Sequence, residues 1–258
     1  MAFSFLSQQA VKFAKNLAML TACFSVALPS YAKTELERDK PHTQLCTYFY
    51  DFNFNDPQLQ KQDIRRAIKA MVFSNRIKSE KGDINHHILP KSLQFESESH
   101  WSPIIVEQLL NQNGITPKNP LRLKIVYENQ KTQNVIARQI MRALAQSDLI
   151  RVSAQAVKKS ELNAIKQKGN YQLIRAEQCV EKPDVAQFLW RFESKSPENI
   201  NGYSNSKVDK LLAKLRSKKL SAKKRNELMQ EIVEILEQDI AILPLYEEQK
   251  MISPLSRD

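Results

Sequence analysis

Apolar positions along this chain change their spacing repeatedly, and each change marks an element. Residues 45–54 form a run dense in aromatic and aliphatic side chains, which predicts a strand, and Asn55-Asp56-Pro57 closes it. Between 63 and 77 the residues Ile64, Ala67, Ile68, Met71 and Val72 recur three and four apart, the spacing of one helical face. No period survives from 78 to 100, where Gly82 and Pro90 stand among polar residues, so a long loop is expected there. Ser102-Pro103 then offers an N-cap and a first-turn proline to a helix that Asn113-Gly114 ends.

A strand over 121–127, a helix over 132–145, a strand over 151–157, a short helix over 160–167 and a strand over 171–176 follow. Strands alternating with helices are the signature of crossover units on a largely parallel sheet. Past Cys179 the pattern turns helical, with a short piece over 184–192, a polar stretch over 193–205, and helices over 206–216 and 222–239. Residues 240–246 predict a last strand, interrupted by Pro244. The fold class expected is α/β, one domain built on a mixed, mostly parallel sheet flanked by helices.

The first 32 residues read differently. They carry Lys12 and Lys15 and no acid, then an apolar stretch over 17–28, then Pro29-Ser30-Tyr31-Ala32. This predicts a signal peptide over 1–32 with cleavage after Ala32, followed by a polar leader over 33–43. The alternative of an N-terminal membrane helix fails on length, since about 12 apolar residues do not span ~30 Å of hydrocarbon. Leu20-Thr21-Ala22-Cys23 matches the tetrad that precedes a lipid-modified cysteine in bacterial lipoproteins, which makes Cys23 an alternative mature N-terminus. Export past an oxidising boundary leaves two cysteines, Cys46 and Cys179, in a compartment where thiols tend to pair. They are expected either as one disulfide or as two buried thiols.

Charge and chemistry narrow the function further. The chain carries 39 Lys and Arg against 28 acids, a net charge of +11, spread mostly along predicted helix faces. Solvated faces account for that pattern; an acidic surface also fits it, whereas export argues against a nucleic acid. His86-His87, with His42 and His100, have no acid at helical spacing to complete a metal site, so no metal is expected. There is no Gly-x-Ser-x-Gly elbow, only four glycines for any phosphate cradle, and no nucleophile–base set, so neither an enzyme nor a cofactor is expected. Trp101 and Trp190 read as core or cleft-rim residues.

Two groups of motifs carry a resemblance. Leu45-Cys46-Thr47-Tyr48-Phe49-Tyr50, then Asp63-Ile64-Arg65-Arg66-Ala67-Ile68, resemble the opening of the second lobe of periplasmic oligopeptide-binding proteins, the family 5 extracellular solute-binding proteins of ABC transporters. Asn201-Gly202-Tyr203-Ser204-Asn205, Val208-Asp209-Lys210-Leu211-Leu212, Arg225 and Ile242-Leu243-Pro244-Leu245-Tyr246 resemble the closing segment of that lobe, in order and spacing. The resemblance covers 44–252 and implies that 44–258 is a second-lobe domain of the class II periplasmic-binding-protein type.

The resemblance implies that Cys46 and Cys179 are bonded. It also implies a peptide site. Glu181, two residues past Cys179, stands where the family has an aspartate that holds the peptide α-amino group. Arg175, four before the cysteine, matches an arginine lining the same cleft, and Lys166 falls where the family has a cation that meets peptide carboxylates. A carboxylate and a cation at separated points would fix a peptide by its ends without reading its side chains. Glu181 beside Lys182 also fits a solvated turn.

The chain departs from the family at Glu177-Gln178, which replace Gly-Trp, and at Gln133, where some members carry a histidine. Family members also carry a first lobe ahead of this segment and close both lobes on the ligand about a hinge. The function expected is binding of short peptides in ABC-type transport across the envelope, truncated to one lobe. A permease or a companion first-lobe chain would be its partner. The alternatives are a charged interaction module docking on a transporter or another binding protein, and a remnant without a present role.

Overall fold

Cys46 and Cys179 face each other across two neighbouring strands. The computed structural model describes residues 42–96, 105–182 and 184–252. The expected signal segment, Cys23, His100, Trp101, Ser102, Pro103 and nearly all of the leader lie outside these residues. Six strands run in chain order as β1 (His42–Phe52), β2 (Asp83–Ile84), β3 (Leu121–Glu128), β4 (Ile150–Val157), β5 (Leu173–Val180) and β6 (Ile242–Ile252). The α-helices are α1 (Gln62–Ser74), α2 (Val106–Gln112), α3 (Lys131–Leu144), α4 (Lys159–Lys168), α5 (Val185–Leu189), α6 (Ser206–Leu215) and α7 (Ala222–Asp239).

The strands form one sheet in the order β2-β6-β1-β5-β3-β4. It is mixed. β3 runs parallel to β4 over eight residue pairs and parallel to β5 over two, Ile125↔Leu173 and Val126↔Ile174. Here α3 and α4 make the crossovers, where the sequence alternates most clearly. β1 and β5 are antiparallel from Leu45↔Val180 to Phe52↔Leu173, as are β2 and β6.

Both faces of the sheet are covered. Along β1 the alternate residues Cys46, Tyr48, Tyr50 and Phe52 enter one core with Ile64 and Ile68 of α1 and Ile136 and Ile140 of α3. Phe49 points the other way, into a second core with Val208 and Leu212 of α6 and Ile232 and Leu236 of α7. The odd-numbered face also carries Thr47, Asp51 and, just past the strand, Asn53, all buried, so β1 is covered on both sides although its buried polar residues keep to one of them.

Three local expectations are corrected. β5 starts at Leu173 and extends to Val180, so Cys179 lies within the strand rather than after it. The Asn53 side-chain amide donates to Gly169 O and Tyr171 O and holds the entry as a turn, while pairing with β1 carries the strand onward. The loop over 78–100 contains β2, a short strand made possible by Gly82, where a Cβ would lie 2.0 Å from Glu247 O. β6 runs straight through Pro244, because a fixed φ suits an extended strand and only one donor is given up.

Buried Arg65 ties the start of α1 to the end of α7. Its guanidinium donates to Leu59 O and Gln60 O nearby and to Asp239 O and Ile240 O at the end of α7. These carbonyls carry the negative end of the α7 dipole, so a cation is well placed there. Burial pulls the Arg65 pKa down to about 10, against the opposing effect of Asp239 and Tyr203.

Candidate functional site

β5 is paired with β1 along its whole length, yet β3 reaches it only at Leu173 and Ile174. The backbone edge of residues 175–180 therefore lies open on the β3 side, with no strand against it among the described residues. A polar cleft of ≈ 550 Å³ follows this edge, from Ala176 to Val180, with Gln187, Trp190 and Arg191 from the segment after β5 and Lys166 from the last turn of α4. Trp190 stands at the rim, with the Arg216 guanidinium 4.9 Å from its ring centroid.

Asp51 of β1 is fully buried and is bound by two of the cations that line the cleft. Lys166 Nζ is 2.6 Å from Asp51 Oδ2, Arg191 Nη2 is 2.7 Å from Oδ1, and Asn201 Nδ2 also donates to Oδ1 at 3.4 Å. Burial alone raises the Asp51 pKa; Arg191 and Lys166 more than offset it, so the carboxyl titrates below its ordinary value. Arg191 also stacks on Phe49, with Cζ 4.6 Å from the ring centroid.

A second, smaller cavity of ≈ 180 Å³ adjoins Glu177, which lines both. Arg175 and Glu177 lie two apart on β5, opposite Tyr50 and Tyr48. Arg175 Nη2 is 2.7 Å from Glu177 Oε2, and Arg175 Nη1 is 3.6 Å from Glu128 Oε2. Lys250 Nζ reaches the same Glu177 oxygen at 3.5 Å. Tyr48 lies beneath both cations, stacked on Tyr246 with ring centroids 4.3 Å apart. Burial raises the Glu177 pKa, and the attraction of Arg175 and Lys250 outweighs it, leaving the group below its ordinary value. Burial, with Glu177 and Glu248 nearby, pushes the Tyr48 hydroxyl up, so it stays protonated. Arg175 Nε is buried with no hydrogen-bond partner.

The three residues singled out for peptide contact fall in different settings. Lys166 lines the cleft but is engaged by Asp51. Arg175 is buried in the smaller cavity and engaged by two acids. Glu181 is exposed immediately after β5, one residue beyond the lining residue Val180. Gln133 donates to Tyr246 Oη at 3.1 Å on the far wall of the smaller cavity. Sequence reasoning missed Asp51, Arg191 and Asn201 as a group; Asp51 and Arg191 showed only as charges inside or beside an apolar run, and Asn201 only as the first residue of a motif with no role attached. Glu177 was visible as a departure from the family pattern, although not as a partner of Arg175.

No His-rich centre adds to this picture. His86 stacks on Phe73 with centroids 4.1 Å apart, and His87 Nδ1 lies 3.7 Å from Glu237 Oε1. Among the described residues no three His, Cys, Asp or Glu side chains stand together as metal ligands.

Solved periplasmic binding proteins share this fold of a mixed sheet flanked by helices, each matched over about half of its length, a single lobe. In sequence the chain is similar, over part of their length, to oligopeptide- and murein-peptide-binding proteins. A protein of Haemophilus influenzae named only as a binding protein is 40% identical over 208 residues, covering 80% of this chain and 40% of that one. The periplasmic murein peptide-binding protein MppA of Escherichia coli is 25% identical over 218 residues, 79% of this chain and 40% of that protein. The solved structure of the Escherichia coli murein tripeptide-binding protein matches with a TM-score of 0.69 at 23% identity, over 88% of this chain and 48% of that one. OppA of Burkholderia pseudomallei matches at 0.71 and 21% identity, over 93% and 52%. This chain thus spans about 40% of the length of the curated relatives it matches. No protein-family model matches it.

Proposed function

We propose that this chain is a peptide-binding lobe of the ABC-transport type, exported by way of residues 1–32 and working in the periplasm. The open β5 edge over 175–180 carries the reading. Its unpaired N–H and C=O groups are what an extended peptide can add to as a further strand, so the main chain supplies contact whatever the side chains. Lys166 and Arg191 border this edge, and Glu181 stands just beyond it. In this reading Glu181 receives the peptide's α-amino group and the cationic side of the cleft its carboxylate. A single lobe buries one side of an extended ligand, so binding by this lobe alone is weak, and a companion lobe or permease would supply the other wall.

Calorimetry of the oxidised protein with a pool of short peptides tests the reading. The expected result is binding in the micromolar to millimolar range, weakened roughly tenfold by Glu181→Ala for peptides with a free α-amino group and unchanged for acetylated ones, as loss of one charge-assisted hydrogen bond of ~1.5 kcal/mol requires. Absence of heat across that whole range would remove autonomous peptide binding. A role as a charged interaction module is the second reading, favoured by the lysine-rich face of α6 and α7.

A further inference from the structure

The face made by α6, α7 and the turn between them lies outside the cleft lining. Asn205 caps α6 through Lys207 N and Val208 N, which places Lys207, Lys210 and Lys214 along one stripe. Lys224 of α7 stands opposite. Between them runs a trough of ≈ 430 Å³ floored by Leu211, Leu220 and Leu228, with Glu231 as its only acidic lining residue. Glu231 is engaged by Lys207 at 2.9 Å, and Lys224 is engaged by Glu227 at 2.9 Å. Lys210 and Lys214 are exposed and form no ion pair within 4 Å among the described residues, although Lys214 is near enough to Glu231 to join Lys207 in holding its carboxyl ionised. Lys218 and Lys219 in the turn are likewise exposed and form no such pair. Positive charge is thus in excess on a helical hairpin with an apolar seam.

We propose that this face docks on a membrane surface carrying anionic phospholipid. The side-chain types decide between lipid and protein. Protein interfaces favour aromatic residues, Met and Arg and are depleted in Lys, whereas this trough has four lysines and no aromatic, Met or Arg in its lining. Lysine is a compact, strongly hydrated point charge on a flexible stem, suited to a diffuse anionic surface rather than to a fixed bidentate partner. The leucine seam accommodates the aliphatic stems while the ammonium groups reach outward. The lining of this face and that of the β5 cleft share no residue.

Co-sedimentation of the purified protein with vesicles of phosphatidylcholine containing phosphatidylglycerol, against phosphatidylcholine alone, tests the proposal. Binding is expected only to the anionic vesicles, falling as salt is raised. Each lysine near such a surface is worth about fivefold, from ~1 kcal/mol per charge, so the combined Lys210→Gln, Lys214→Gln and Lys219→Gln variant should bind about a hundredfold more weakly. Lys118→Gln with Lys131→Gln, both exposed and outside the trough, should bind as the parent does. Equal binding to both vesicles, no binding to either, or an unaffected triple variant in a protein with an unchanged melting curve would overturn the proposal. Binding to soluble polyglutamate but not to vesicles would also overturn it, and would assign the face to an acidic protein segment. None of these outcomes depends on whether the cleft takes a peptide.

Discussion

Asp51 organises the polar side of the lobe from a position no solvent reaches. It is the common acceptor of Lys166, Arg191 and Asn201, three residues from three separate segments. Replacing it by Asn leaves two cations near the core without a counter-charge, and Asp51→Asn should cost about 3–5 kcal/mol by chemical denaturation. The pH dependence has a defined sign. Asp51, Glu177 and Glu237 all have folded-state pKa values below their ordinary ones, from 3.8 for Asp and 4.5 for Glu. Their contribution is complete above those unfolded values and is lost as pH falls through the lower folded ones. The melting temperature should therefore drop steeply below pH ~4, and Asp51→Asn, already destabilised, should show a shallower acid limb. Little of this was legible. A lone acid in Tyr50-Asp51-Phe52 reads as an interruption of a strand, and only the arrival of Lys166 and Arg191 from distant segments turns it into a centre. Arg175 was found by its motif, but its engagement by Glu128 could not be, since that contact crosses from β5 to β3.

At the scale of elements the disulfide joins strands that are already registered, Cys46 opposite Cys179. Its effect is to remove the freedom of the intervening chain in the unfolded state, which for a loop of about 130 residues is worth up to ~4–5 kcal/mol, with 2–4 more usual. Reduction, or the Cys46→Ala, Cys179→Ala double variant, should lower the urea midpoint accordingly while leaving far-UV dichroism at neutral pH unchanged. Gly82→Ala should destabilise by distorting the β2–β6 pair, since the added methyl meets backbone rather than a movable side chain. The crossover units from β3 to β5 could be read directly from periodicity, most clearly at β3, which buries a nearly continuous run, and at α3, which buries one stripe. β2 could not, as two residues give no period, and the full length of β5 could not, because pairing with β1 rather than propensity sets its end.

For the whole molecule the two candidate surfaces divide the work. The β5 edge lies on one side, open and polar, and the lysine face of α6 and α7 occupies another, with no residue common to their linings. Peptide and membrane binding should therefore be additive. A short peptide at a hundredfold over its dissociation constant should stabilise the protein by ~2.7 kcal/mol, to the same extent with and without anionic vesicles. Fluorescence-monitored melts in both conditions would show it, and a large difference between them would mean the two surfaces are coupled.

The Arg65 clasp bears on how such a chain comes into being. Its distant acceptors, Asp239 and Ile240, lie 174 and 175 residues further on, and β6, the last strand, fits between β1 and β2 inside the sheet. No N-terminal portion of the chain holds a finished sheet or a capped α7, and contacts this remote in sequence form slowly. A chain stopped before β6 lacks the strand that joins β1 to β2, so truncation after residue 241 should abolish the cooperative thermal transition, and an intact transition would show β6 to be dispensable.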